Sequence, residues 1–173
     1  RVRVELRRAR VFSDWEKEHN VDVKVVKHEA WAEVVLNRPE VKNAITGPLG
    51  LELAQAFEIV QNDDDIQVVL FRGAGGAFCS GLDLKAFGAE PSPAWMKTWK
   101  ETWRRAHRAI FDCSKPIVCA LERFAINGGA ALAIASDFCI SGEEAFLSVG
   151  EVKLGMAAPY NLVWLQLKHS ESV

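Results

Sequence analysis

The chain has no excess of charge of either sign: 21 basic side chains stand against 23 acidic ones, a formal net charge of −2 over 173 residues. Such a balance gives nucleic acid or an anionic membrane surface no electrostatic reason to bind. No apolar run approaches the roughly 20 residues that a membrane-spanning helix needs. The basic opening "RVRVELRRARVF" is followed by no signal-peptide apolar stretch, and Glu5, Asp14, Glu16 and Glu18 dilute its charge. Residues 1–20 therefore read as a charged N-terminal extension, a solvated helix or arm, with a transit-peptide remnant as the second reading. C-x-x-C is absent, and His19, His28, His107 and His169 do not fall at metal-ligand spacing beside the cysteines, so no metal site is expected. Cys79, Cys113, Cys119 and Cys139 lie mostly among apolar neighbours and read as buried, reduced thiols of a cytoplasmic protein. Cys79 borders a glycine-rich loop, but no nearby histidine could activate it as a nucleophile.

What is present is an ordinary globular composition, 49% apolar and 25% charged, long enough for one substantial core. From residue 21 "VDVKVVKHEAWAEVVLN" alternates and then fills with β-branched residues, which predicts two paired strands. Thr46 can cap a following helix with Pro48 in its first turn, and Leu49, Leu53, Ala56, Phe57 and Val60 form its apolar stripe. "NDDD" at 62–65 ends that helix, and "IQVVLFRG" reads as a buried strand. A glycine-rich loop, "GAGGAFCSGLDL", and a tryptophan-rich helical segment follow. "KPIVCALE" is a second buried strand, "INGGAALA" opens another helix, and "DFCIS" is strand again. Alternation of strand and helix predicts an α/β domain over residues 21–173 with largely parallel pairing.

A glycine-rich loop after a strand is where dinucleotides bind, but the match fails in detail. Gly73 and Gly75 supply G-x-G, whereas Phe78 stands at the third position, and no G-K-[S/T] occurs. Glu90 and Glu101 do not sit at the end of a second strand to hold a ribose. Both glycine loops lie just beyond strands that a parallel sheet would place at one edge. Two loops free of bulky side chains can aim two backbone N–H groups at one oxygen, the geometry that stabilises a developing oxyanion. Tight turns and close helix–strand packing would also use such glycines.

The ordered segments "NRPEVKNAI", "VVLFRGAGGAFCSGLDLK", "KPIVCALERFAINGGAALAIASDFCIS" and "EEAFLSVGEVKLGM" resemble the crotonase superfamily, the enoyl-CoA hydratase/isomerase family. The resemblance runs from about residue 22 to 168. It implies a spiral of repeated β-β-α units, an acyl-CoA thioester substrate and a homotrimer or homohexamer. Coenzyme A is then part of the substrate, and no separate cofactor is expected. By position, the oxyanion donors would be the backbone N–H groups of Leu82 and Gly128. Lys42, Ala44, Asp83, Leu84 and Lys85 fall in segments that usually contact coenzyme A; lysines suit its phosphates as point charges. Family members usually run well beyond this length, which implies a missing C-terminal helical region.

Side chains, not fold, name the reaction. Hydratases of this family typically carry one glutamate in the first turn after the glycines and a second in "x-E-x-x-L-G". Here Ala131 takes the first position, and "VGEVKLG" supplies Glu151 at the second. One carboxylate can take a proton and return it, so the expected reaction is Δ3–Δ2 enoyl-CoA isomerisation with Glu151 as the catalytic group. "LGMAAPYNLVWL" is similar to the single-glutamate isomerases. Hydration is the alternative, and a catalytically weak acyl-CoA-binding relative is another. Departures from the family pattern are Glu122–Arg123 where Asn-Gly is usual and Asn127 where a third glycine is common. Glu122 reads as a rim carboxylate paired with Arg123, or as a possible secondary acid. Trp95, Trp99 and Trp103, four residues apart, read as packing, with a wide acyl pocket as the minority reading.

Overall fold

The computed structural model describes residues 10–11 and 21–168. Of the N-terminal extension only Arg10–Val11 are described, as a two-residue strand (β1), and the reading of the rest as a helix or arm lies outside the described residues. β2 (Val23–Lys27) and β3 (Trp31–Leu36) form the expected pair, which is antiparallel and in register at Val25 and Val34. Thr46 Oγ1 accepts the N–H of Leu49 at 3.4 Å and starts α1 (Gly47–Gln61), with Pro48 in the first turn. The stripe Leu49, Leu53, Phe57 and Val60 is wholly buried.

The chain continues through β4 (Val68–Gly73), the short α2 (Leu84–Phe87) and α3 (Trp99–Asp112). Then come β5 (Ile117–Leu121), β6 (Phe124–Ile126) and α4 (Gly128–Ala135). It ends in β7 (Phe138–Ser141), β8 (Phe146–Ser148) and α5 (Pro159–Lys168).

Two sheets result. The larger has six strands in the order β1-β2-β3-β4-β5-β7, parallel from β3 onward. The smaller pairs β6 with β8 and is extended by single parallel bridges, Cys79 to Ala125 and Ile45 to Leu82. Each turn of the chain therefore crosses the large sheet, crosses the second layer and then enters a helix. β3, Ile45 and α1 form one turn; β4, Cys79–Leu82 and the α2–α3 segment the next; β5, β6 and α4 a third; β7, β8 and α5 a fourth. This is the expected α/β spiral of β-β-α units. Parallel strands need such long crossovers, and the crossovers bring their C-terminal loops to one edge.

Two expectations need correction. "IQVVLFRG" and "KPIVCALE" are not buried throughout: β4 and β5 alternate between buried and half-buried positions. Their inward residues, Val69, Phe71, Ile117, Cys119 and Leu121, belong to a core shared with α1 and α3, whereas the alternate residues are only half-buried among the described residues. The cysteines also divide. Cys79 and Cys119 are buried, Cys113 is half-buried, and Cys139 is exposed because all four residues of β7 are.

Phe57 of α1, Phe71 of β4 and Phe78 of the glycine-rich loop meet edge to face, with centroids 5.4 and 5.1 Å apart. The contact fixes that loop to the sheet and the helix. Asn43 locks it to the preceding turn. Fully buried at φ 55°, it accepts the N–H of Arg38 at 2.9 Å and donates Nδ2 to the carbonyls of Ala74 (2.9 Å) and Ala77 (2.8 Å). Asn43→Ala strands these groups and replaces asparagine, which tolerates the left-handed region, with a residue that does not. It is expected to lower the unfolding free energy by about 2–4 kcal/mol in urea titration.

Candidate functional site

The site is built where the second layer ends. Ile45 donates its N–H to the Gly81 carbonyl at 2.8 Å and accepts from the Asp83 N–H at 2.9 Å. Successive amides of an extended chain point to opposite sides, so the Leu82 N–H faces away from Ile45, towards β6. Cys79 still pairs with β6 there, donating to the Phe124 carbonyl at 3.2 Å and accepting from Ile126 at 3.0 Å. Beyond Ile126 the chain turns through Asn127 at φ 52° and enters α4 at Gly128. The ladder thus stops between Leu82 and Gly128. No backbone acceptor among the described residues takes either N–H.

Both glycine positions have steric causes. A β-carbon on Gly81, at φ 87°, would stand 2.9 Å from the Ile126 carbonyl oxygen. One on Gly129 would stand 2.8 Å from the backbone and side chain of Cys79. The Cys79 thiol lies 3.1 Å from the Asn43 carbonyl, and burial pushes its pKa up to about 12, so it is packing rather than a nucleophile.

Glu151 reaches the same region on a single turn of 3₁₀ helix, Gly150–Leu154. The N–H of Gly150 is held at 2.7 Å by Oδ1 of Asn127, the residue before Gly128. Glu151 Oε2 is buried and has no hydrogen-bond partner among the described residues. A buried carboxylate oxygen without a donor is costly, so a proton or a donor brought to it is favoured. Ala131, in the first turn of α4, is wholly buried and brings only a methyl group.

The expected coenzyme A segments lie on neighbouring loops, because Ser80 donates to the Lys42 carbonyl at 3.0 Å and Ile45 pairs with Leu82. Leu84 and Lys85 are exposed at the start of α2, and no ion pair among the described residues holds Lys42 or Lys85. Asp83 differs: its carboxylate caps α2 through the Ala86 N–H at 3.0 Å and pairs with Arg38 at 3.3 Å. Arg38 also donates to the buried Ala44 carbonyl at 2.6 Å. The side chain of Asp83 and the carbonyl of Ala44 are therefore engaged within the protein. Arg38 was not singled out from sequence, although "NRPEVKNAI" contains it.

Glu122 is exposed at the opposite end of β6 from Gly128. The expected pairing with Arg123 does not occur among the described residues; the Arg123 guanidinium lies 5.9 Å from the centroid of the Phe124 ring instead. The tryptophans form a continuous column. Phe87 of α2 meets Trp95 and Trp99 edge on, Trp99 stacks on Trp103 at 5.3 Å, and Trp103 meets His107. The column packs on α1, where a β-carbon at Gly47 would clash with Trp95. It also passes the site, since Trp103 would lie 3.6 Å from a β-carbon on Gly128. A hollow of about 260 Å³ lined by Phe111, Trp164 and Leu167 lies at the other end of α4 and shares no residue with these loops.

The structure is thus an α/β spiral of β-β-α units in which the Leu82 and Gly128 amides and Glu151 Oε2 have no partner among the described residues. Residues 27–169 match the family described as enoyl-CoA hydratase/isomerase, and the chain belongs to that family. It is 33% identical over 135 residues to the mitochondrial Delta(3,5)-Delta(2,4)-dienoyl-CoA isomerase of Mus musculus, covering 72% of this chain and 41% of that one. It is 34% identical over 122 residues to the enoyl-CoA hydratase EchA19 of Mycobacterium tuberculosis, covering 69% and 46%. An enoyl-CoA hydratase/carnithine racemase structure from Magnetospirillum magneticum superposes with a TM-score of 0.74 at 31% identity, covering 84% of this chain and 56% of that one. The chain spans about half the length of these relatives.

The column ends in a buried polar contact. Trp164 of α5 donates its indole N–H to Nδ1 of His107 at 2.8 Å, and the imidazole stacks on Tyr160 at 4.2 Å. Burial holds the His107 pKa well below its ordinary 6.5, at about 3. The unfolded chain takes up this proton below about pH 6.5 and the folded one does not. The resulting stabilisation is complete above pH 6.5 and is lost as pH falls towards 3, by up to about 1.4 kcal/mol per pH unit. Urea unfolding between pH 6.5 and 4 is expected to show this slope, and His107→Gln, which keeps an acceptor for Trp164, to flatten it by one proton.

Proposed function

We propose that the chain carries the catalytic core of an acyl-CoA isomerase that moves a proton within an enoyl thioester. The observation that carries this reading is the buried Oε2 of Glu151, without a partner among the described residues, and an α4 whose first turn holds Ala131 and no acid. The Leu82 and Gly128 N–H groups would donate to the thioester carbonyl oxygen. The Glu151 carboxylate would take a proton from the α-carbon of a 3-enoyl thioester. The electron pair left behind shifts the double bond into conjugation and places negative charge on the thioester oxygen, where two preorganised donors meet it. The carboxylic acid then returns the same proton to the γ-carbon. Δ3 becomes Δ2, no water is consumed, and one group serves as base and then acid.

Lys42 and Lys85 are the cations available to the coenzyme A phosphates, and Leu84 offers an exposed apolar contact beside them. Asp83 and Ala44 shape this loop through Arg38 rather than by presenting free polar groups. Hydration would need a second group to hold the attacking water. Glu122, exposed at the far end of β6, is poorly placed for that.

Glu151→Gln keeps the shape of the side chain and removes the base. It is expected to reduce isomerisation of 3-enoyl-CoA by about 10²–10⁴-fold while coenzyme A ester binding persists. Turnover within a few fold of the unaltered chain would overturn the single-base reading. If the unaltered chain binds coenzyme A esters and turns over neither 2- nor 3-enoyl-CoA, it is a binding protein instead. Ala131→Glu is expected to raise hydration of 2-enoyl-CoA. No rise in a folded variant would mean that the shape of the pocket, not the number of acids, excludes water.

A further inference from the structure

We propose that Asn127 is a positioning residue that sets the Glu151 carboxylate against the Gly128 N–H. The inference rests on the reading of Glu151 as the acid–base group. Asn127 precedes Gly128 directly, so its backbone conformation aims the first amide of α4. That conformation, φ 52° and ψ −113°, is unusual for a residue with a β-carbon. It is held from three sides.

The Asn127 N–H donates to the Ser148 carbonyl at the end of β8, at 2.7 Å. Its carbonyl accepts from the Ala131 N–H at 3.1 Å and from Nδ2 of Asn161 on α5 at 3.3 Å. Its side-chain oxygen accepts the N–H of Gly150 at 2.7 Å. An asparagine at this point of a helix ordinarily caps the helix with its own side chain. Here no side-chain cap forms, and Oδ1 is spent on the turn that carries Glu151. The first amides of α4 remain free towards the site, and the carboxylate is tied to the same residue.

Gly150 permits the close approach, since a β-carbon there would stand 3.2 Å from Asn127 Oδ1. Only one covalent step separates the Gly150 amide from Glu151, and one separates Asn127 from the Gly128 amide. The hydrogen bond is therefore the shortest mechanical link between the proposed base and the proposed oxyanion donor. Displacements of about 1 Å in such a pair can cost on the order of 10²-fold in rate.

Two variants of the full chain, each assayed beside Glu151→Gln, test this. Asn127→Gly accepts the positive φ and loses only the Oδ1 contact; Asn127→Asp keeps an acceptor for Gly150. The readouts are kcat and KM for 3-enoyl-CoA, exchange of the substrate α-proton in deuterated water, and the thermal midpoint. Asn127→Gly is expected to lower kcat and α-proton exchange roughly 10–100-fold, with KM within about threefold and the thermal midpoint little changed. Asn127→Asp is expected to recover most of kcat, with its acidic limb moved to higher pH by the added negative charge beside Glu151. A glycine variant with kcat within threefold of the unaltered chain overturns the proposal, as does a fall in kcat accompanied by an equal loss of folded protein. Full activity in Glu151→Gln overturns the underlying reading instead and takes this inference with it.

Discussion

The approach of the Ile126 carbonyl to Gly81 is the contact on which the rest of this structure turns. At 2.9 Å from the position a β-carbon would take, it leaves room for a hydrogen atom and nothing else. Two turns of the spiral can come this close only where one of them carries glycine at positive φ. Closeness alone would make another ladder rung. The chain instead leaves the layer at Asn127, so Leu82 and Gly128 keep amides that regular pairing would have consumed. Gly129 against Cys79 repeats the constraint one residue into α4 and fixes the angle at which that helix departs. The free amides are thus a result of backbone packing, held in place before any ligand arrives.

Much of this was legible from the residues. Thr46 and Pro48 marked the start of α1, and its apolar stripe marked the face it buries. The β-branched runs marked β2 to β5, and the two glycine loops marked the edge where the site lies. What stayed hidden was short or distant. β6 and β8 are three residues each, too brief for alternation to show, yet they carry the second layer. The exposure of β7 depends on what lies over a sheet face, which its own sequence does not encode. Arg38 bonds Asp83 across 45 positions, and Trp164 bonds His107 across 57; nothing local announces either contact. Asn127 looked like a departure from a glycine pattern and has its meaning only beside Gly150.

The aromatic column is a second consequence of close backbones. Gly47 and Gly50 remove side chains from one face of α1, and Trp95, Trp99 and Trp103 fill the space. Large flat rings lose few rotamers on packing and resist displacement, which suits them to stand behind the two glycine loops. Trp103 approaches Gly128 and the 3₁₀ turn is linked to Asn127, so α4 starts beside both an apolar stop and a polar tether. The Trp164–His107 bond extends the same column to α5, and Asn161, on that helix, bonds Asn127. Packing and hydrogen bonding therefore converge on the start of α4, at Asn127 and Gly128.

This arrangement bears on why a single acid is coherent with the proposed chemistry. α4 reads GGAALAIA, so its side chains add no hydrogen-bonding group to the backbone amides at its start. A proton placed on Glu151 in such surroundings has few competing acceptors. Its two available fates are return to the carbon it left or transfer to the conjugated carbon further along. On the proposed reading, adding water would require a polar side chain from the start of α4 to hold the attacking oxygen, and Ala131 brings only a methyl group. Retaining the proton and excluding water are then the same structural property. On the proposed reading, the apolar start of α4 selects the reaction as much as Glu151 performs it.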